Sequence, residues 1–123
     1  MEVRPIAVWD LDEIVKRPNV VLVDLRDREE YLKEHIEGAI SVPYDSFFER
    51  GNWWKKDTEF LLYCQRGNAS LQLSRELVEK GVPAMSLLGG YLAYQRFQKR
   101  VNKYPQAINM FPSSDNNGLQ YRM

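Results

Sequence analysis

The sequence predicts an α/β domain of three layers, α/β/α, with a small, mostly parallel central sheet. Two observations carry that expectation. Short, continuous apolar runs at residues 20–23 and 60–63 read as strands buried on both faces, as the strands of a parallel sheet are, and Met85-Ser86-Leu87-Leu88 is a last strand candidate. Residues 70–80 and 91–101 then carry apolar side chains at helical spacing, so strand and helix alternate along the chain. A length of 123 residues corresponds to about one domain, long enough to bury a core of its own.

The elements follow in order. Asp10 and Glu13 have the spacing of a capping box, Leu11, Ile14 and Val15 share one helical face, and Pro18 comes soon after, which predicts a short first helix. The strand at 20–23 runs into polar Asp24, placing that carboxylate at a strand's carboxyl end. Asp27 and Glu30 repeat the capping spacing and open a helix through Glu34. His35-Ile36-Glu37-Gly38 then turns into a short strand over 39–42, closed by Pro43. Phe47, Phe48, Trp53 and Trp54 show no sustained period and Gly51-Asn52 interrupts them, so 44–57 reads as a short helix and an irregular loop. After the strand at 60–63, the spacings of Leu73 to Leu77 and Leu71 to Val78 predict a helix over 70–80 with Gly81 as its C-terminal cap. A strand at 85–88, a tight turn at Gly89-Gly90, and a helix with Tyr91, Tyr94, Phe97 and Val101 on one face complete the pattern before Pro105. Beyond it the chain turns polar. Ile108, Met110 and Phe111 are able to pin its start, and the final ten residues are expected to be disordered.

Composition excludes several classes of function. Seventeen Lys and Arg balance seventeen Asp and Glu, so no overall field draws the protein to nucleic acid or to an anionic membrane, and any anion site must be local. No apolar stretch approaches the roughly 20 residues of a membrane span, and the start Met1-Glu2-Val3-Arg4-Pro5 lacks a signal-peptide apolar region, so a cytoplasmic protein is expected. One cysteine rules out an internal disulfide, a CxxC pair and a thiolate-rich zinc site, and one histidine leaves too few ligands for a transition metal.

The solitary thiol is the informative residue. Cys64 follows the strand at 60–63 directly, and Gln65-Arg66-Gly67-Asn68-Ala69 separates it from the helix beginning near Ser70. In an open α/β sheet, ligands bind outside the carboxyl ends of the strands, where a Gly-containing turn and a helix N-terminus form a cradle for an anion. Helix N-termini and nearby cations favour the thiolate, which is the nucleophilic form of cysteine. A buried, inert cysteine acting as a small hydrophobe is the alternative.

Cys64-Gln65-Arg66-Gly67-Asn68-Ala69-Ser70 resembles the active-site loop of the single-domain rhodaneses, sulfurtransferases that carry sulfur as a cysteine persulfide. Asp24-Leu25-Arg26 is similar to that family's Asp-x-Arg after its central strand. His35-Ile36-Glu37-Gly38-Ala39-Ile40, with Pro43 following, is similar to its His-Ile-x-Gly-Ala signature, and Gly89-Gly90-Tyr91 to its Gly-Gly-aromatic element. These matches keep the family's order and extend from Trp9 to Tyr94. The resemblance implies a rhodanese-like domain over 1–104 with a central sheet of about five strands, followed by a polar, partly disordered tail over 105–123. It also implies a two-step transfer. Cys64 thiolate attacks the outer sulfur of a small anionic donor such as thiosulfate, expels sulfite and keeps a persulfide, which a thiol or cyanide then accepts. No metal or organic cofactor is needed, and a protein sulfur acceptor is a further partner compatible with the scheme.

In this reading Gln65, Arg66, Gly67, Asn68, Ala69 and Ser70 bind substrate around Cys64. Many thiosulfate-active members carry a second Arg where this chain has Ala69, so Arg66 is the loop's one cationic side chain and the donor stays open. Arg66 reads equally as a solvated loop residue, and Ser70 reads as a helix cap rather than a proton donor. Asp24 and Arg26 are supporting residues, read as a structural salt bridge or a turn-fixing pair. His35 is expected to hydrogen-bond within its turn rather than to form a Cys-His dyad, and Trp53-Trp54-Lys55-Lys56 to cover the core while its charges stay wet. A phosphatase or arsenate reductase of the same fold would want an arginine six positions after the cysteine, where Ser70 stands, and the phosphatase pattern a histidine where Tyr63 stands. The remaining alternative is a rhodanese-like interaction or reactive-sulfur-sensing module without turnover.

Overall fold

Five parallel strands in the order β1-β5-β4-β2-β3 form the centre of the molecule. The computed structural model describes residues 2–105, so the tail expected over 105–123 lies outside the described residues beyond Pro105. Along the chain these are β1 (Arg4–Ile6), α1 (Leu11–Val15), β2 (Val20–Asp24), α2 (Arg28–Lys33), β3 (Ile40–Ser41), β4 (Glu59–Tyr63), α3 (Asn68–Glu79), β5 (Ala84–Leu87) and α4 (Gly90–Lys103). Short 3-10 turns at Val8–Asp10 and Tyr44–Ser46 complete them.

The alternation of side chains along the strands builds two apolar layers, one on each face of the sheet. On one face Leu61 and Tyr63 of β4 join Met85 and Leu87 of β5, Leu11 and Ile14 of α1, and Tyr91 of α4. On the other, Phe60 and Leu62 of β4 meet Ala84 of β5, Leu73 and Leu77 of α3, and Phe47. Apart from Asp24 at the end of β2 and Glu59 at the start of β4, the central strands carry no charged residue, because both of their faces are covered. This is the predicted three-layer α/β/α arrangement.

Several local expectations change. The strand β1 has no apolar run to mark it, and Pro5 sits in its middle; it exists through its pairing with β5, Arg4 beside Met85 and Ile6 beside Leu87. An edge strand tolerates the missing Pro N–H. Neither capping box closes, for Asp10 and Asp27 stand at their helix starts without a side-chain capping bond. Asp10 belongs to the preceding 3-10 turn and has φ −97° and ψ −6°, whereas a capping residue needs an extended backbone. The strand expected at 39–42 narrows to Ile40–Ser41, and α3 starts two residues before the expected position 70. In 44–57 a short 3-10 turn and a loop bring Phe47 into contact with Phe48, Trp53, Trp54 and Phe60 at ring-centre distances of 5.2–5.9 Å. The two tryptophans cover the core, and Lys55 and Lys56 remain exposed.

Candidate active site at the end of β4

Cys64 follows the central strand β4 at its carboxyl end, and the chain needs only Gln65, Arg66 and Gly67 to reach the first residue of α3. Gly67 makes that sharp turn possible with φ +101°, a left-handed conformation that costs other residues energy. The loop thereby curls its own amides towards the sulfur. Gly67 N–H and Ser70 N–H donate to Cys64 Sγ at 3.1 and 3.3 Å, and Sγ lies 3.5 Å from Ser70 Oγ. N–H groups at a helix start carry partial positive charge, so negative charge is stabilised there without a cationic side chain. The residue is buried, with 8% of its surface exposed.

A second helix clamps the loop from the other side. Tyr91 N–H and Leu92 N–H, in the first turn of α4, donate to the carbonyls of Cys64 and Gln65 at 2.8 and 3.1 Å. That approach is possible because residue 90 is glycine. A Cβ there would lie 2.4 Å from the Cys64 carbonyl oxygen and 2.7 Å from that of Gln65. The Gly89-Gly90 turn expected from the sequence therefore also sets how closely α4 meets the loop.

The predicted residues fall at different depths. Gln65, Arg66 and Asn68 are exposed at the rim, Gly67 and Ala69 are half-buried, and Ser70 is fully buried. The Arg66 side chain makes no hydrogen bond within the described residues and stays in solvent. Ser70 is not the capping residue of α3, a position that Gly67 occupies. Its hydroxyl donates to the Gly67 carbonyl at 3.2 Å and meets Ser86 Oγ at 2.9 Å. Ser86 is a site residue that the sequence reading does not single out; its signal is a single hydroxyl inside the strand candidate 85–88.

Asp24 and Arg26 form a buried ion pair beside the loop rather than part of it. Arg26 Nη2 lies 2.8 Å from Asp24 Oδ2, Arg26 Nε donates to both carboxylate oxygens, and Arg26 N–H donates to Oδ1 at 2.8 Å. The pair ties three elements together: Arg26 also donates to the Glu34 carbonyl at 2.7 Å, Tyr63 Oη donates to Asp24 Oδ2 at 2.6 Å, and Ile36 N–H donates to Tyr63 Oη. The guanidinium lies 4.0 Å above the Tyr91 ring, whose hydroxyl donates to Glu34 Oε1. Burial, followed by the hydrogen bond to Asp24, pushes the Tyr63 pKa up. Burial and the hydrogen bond to Glu34 push Tyr91 up to about 12. His35 is engaged in its own turn, its Nδ1 2.8 Å from the Tyr31 carbonyl and its ring stacked on Tyr31 at 3.8 Å. Within the described residues no hydrogen bond joins it to Cys64. Two surface hollows of about 540 Å³ each lie beside Trp53 and contain no residue of the loop. No group of three or more His, Cys, Asp or Glu side chains able to hold a metal occurs among the described residues, and no described helix is long and apolar enough to cross a membrane.

Residues 8–97 match the family model of the rhodanese-like domain. The chain belongs to the rhodanese-like domain family. Its curated relatives include the thiosulfate sulfurtransferase GlpE of Coxiella burnetii, 34% identical over 80 residues that make up 64% of this chain and 75% of that one. The tRNA sulfurtransferase of Desulfurococcus amylolyticus is 39% identical over 75 residues, which are 61% of this chain and 15% of that longer protein. Among solved structures, SSP1007 of Staphylococcus saprophyticus superposes with a TM-score of 0.66 at 29% identity, over 76% of this rhodanese-like domain and 93% of that chain. These relatives place the domain in a family of sulfur-transfer proteins.

Proposed function

We propose that this rhodanese-like domain is a sulfurtransferase that moves sulfane sulfur from a donor such as thiosulfate or a persulfide to cyanide or a thiol, through a persulfide on Cys64. The observation that carries the reading is the pair of N–H groups, from Gly67 and Ser70, aimed at Cys64 Sγ where α3 begins. In the first step the thiolate bonds to the outer sulfur of thiosulfate, the sulfur–sulfur bond of the donor breaks, and sulfite leaves with its electron pair. In the second, cyanide or a thiolate takes the terminal sulfur and Cys64 thiolate is restored. Each step begins and ends with negative charge on sulfur, and the fixed amides stabilise that charge without reorganising. Arg66 is the cation at the rim that attracts the arriving anion, and Gln65, Asn68 and Ala69 line its approach. Asp24 and Arg26 support the loop through Tyr63 and Tyr91 without touching the reacting atoms. The catalytic unit in this reading is 1–104.

Intact-mass measurement tests it. Incubation with thiosulfate, and separately with a thiol persulfide, should add one sulfur, about 32 Da, to the wild-type chain. Cyanide should remove it, and Cys64→Ser should never acquire it. No gain from either donor overturns the proposal and favours an interaction or sulfur-sensing module.

A further inference from the structure

Ser86 is a polar residue where the fold wants none. All four residues of β5 are buried, and Met85 and Leu87 face the layer of α1 and α4. Ala84 faces the layer of α3, so the alternation of the strand sends the Ser86 side chain towards α3 as well. There its Oγ lies 2.9 Å from Ser70 Oγ and meets no other polar atom of the described residues in a hydrogen bond. Ser86 is 4% exposed and Ser70 is fully buried, so both hydroxyls lie away from bulk solvent.

The donors and acceptors can then be assigned. A buried hydroxyl proton without an acceptor is costly, and Ser70 Oγ is the acceptor within reach of Ser86. Ser70 has two directions for its own proton, the Gly67 carbonyl at 3.2 Å or Cys64 Sγ at 3.5 Å. While Cys64 is a thiol, its S–H donates to Ser70 Oγ and the Ser70 proton rests on Gly67 O. Once the sulfur is anionic it only accepts, and among the described residues the Ser70 hydroxyl is the side-chain donor beside it.

We propose that Ser86 is a positioning residue for the Cys64 sulfur: by donating to Ser70 Oγ it polarises that hydroxyl and leaves the Ser70 proton to turn onto the anionic sulfur. The role rests on Cys64 acting as the nucleophile of sulfur transfer. Chained hydrogen bonds strengthen one another, and the chain here ends on charge. The first turn of α3 carries no acidic residue and β5 no ionisable one. The ionisable groups on the neighbouring elements include Arg66 on the loop, the Asp24–Arg26 pair with Tyr63, Tyr91 with its partner Glu34, Tyr44 and Asp45 in the 3-10 turn, Arg4 on β1, Glu59 on β4, and Arg75, Glu76 and Glu79 on α3 itself. All are common to the variants compared below.

The test is the pH profile of Cys64 alkylation by iodoacetamide, measured on the full chain with no sulfur donor present. Ser86→Ala should move the midpoint up by about half a pH unit, which makes alkylation below the midpoint roughly threefold slower. Ser86→Thr should stay with wild type and Ser86→Val with Ser86→Ala, a comparison at constant side-chain volume that separates the hydroxyl from packing. In a Ser70→Ala background, Ser86→Ala should shift nothing further, because the effect passes through Ser70. An unshifted midpoint in Ser86→Ala and Ser86→Val, or an equal shift in the Ser70→Ala background, overturns the role. An unshifted profile in a protein that gains sulfur defeats this role alone, whereas a shifted profile in a protein that gains none defeats the sulfur-transfer reading alone.

Discussion

Gly90→Ala is the sharpest perturbation of the loop that leaves its chemical groups in place. The backbone there has φ +64°, and the new Cβ would sit 2.4 Å from the Cys64 carbonyl oxygen. Holding an L-residue in the left-handed region costs about 1–2 kcal/mol, and overpacking adds about 1–3 kcal/mol. If α4 instead retreats to relieve the contact, the hydrogen bonds from Tyr91 N–H and Leu92 N–H to the loop are lost, at about 0.5–1.5 kcal/mol each. Either route destabilises the fold by about 3 kcal/mol, or roughly 10–20 °C in Tm for a domain of this size. Gly81→Ala is the control, since Gly81 has φ +84° with nothing within 4 Å of the added Cβ. It carries the backbone strain alone, about 1–2 kcal/mol. Thermal unfolding followed by circular dichroism should therefore rank Gly90→Ala well below Gly81→Ala. Midpoints within about 3 °C of each other would refute the argument that close approach of α4 to the loop is what requires glycine.

Two further outcomes follow from the buried network. Arg26→Met leaves the Asp24 carboxylate buried with Tyr63 Oη and one backbone N–H as its remaining partners, so urea denaturation should show a loss of about 3 kcal/mol or more; a loss below about 1 kcal/mol would mean that the pair is not holding β2 to its neighbours. Tyr91, raised to about 12, and Tyr63, also raised, keep their protons in the folded protein at pH values where the unfolded chain releases them, starting at about pH 10. The unfolded state then binds fewer protons, so stability is fully present below about pH 10 and falls as pH rises towards 12. Tyr91→Phe should flatten that decline in urea titrations between about pH 9 and pH 11, and an unchanged slope would sink the assignment.

What the sequence by itself determined is whatever a parallel sheet imposes locally. Strands buried on both faces are mostly apolar, so β2 and β4 announce themselves as continuous runs and β5 as a short apolar stretch broken by Ser86. A thiol immediately after β4, a glycine three residues later and a helical pattern beyond are likewise neighbours in the chain, and they placed Cys64 at a strand-to-helix turn. Tertiary structure decided what depends on distant segments meeting. The strand β1 is three residues with a central proline and becomes a strand because its backbone finds β5, some eighty positions away. Asp10 and Asp27 carry the pattern of capping residues, yet neither helix start has a side-chain cap, and at Asp10 the backbone is helical rather than extended. Asp24 and Arg26 lie two positions apart, but their pairing is buried because Tyr63 and Tyr91 arrive from β4 and α4 to enclose it. The contact of Ser86 with Ser70, and the approach of Gly90 to the Cys64 carbonyl, exist only once α3, β5 and α4 have packed. Periodicity records which face of an element is apolar, whereas the partner of a single hydroxyl or carbonyl is settled by distances of a few tenths of an ångström between elements that the chain order keeps apart.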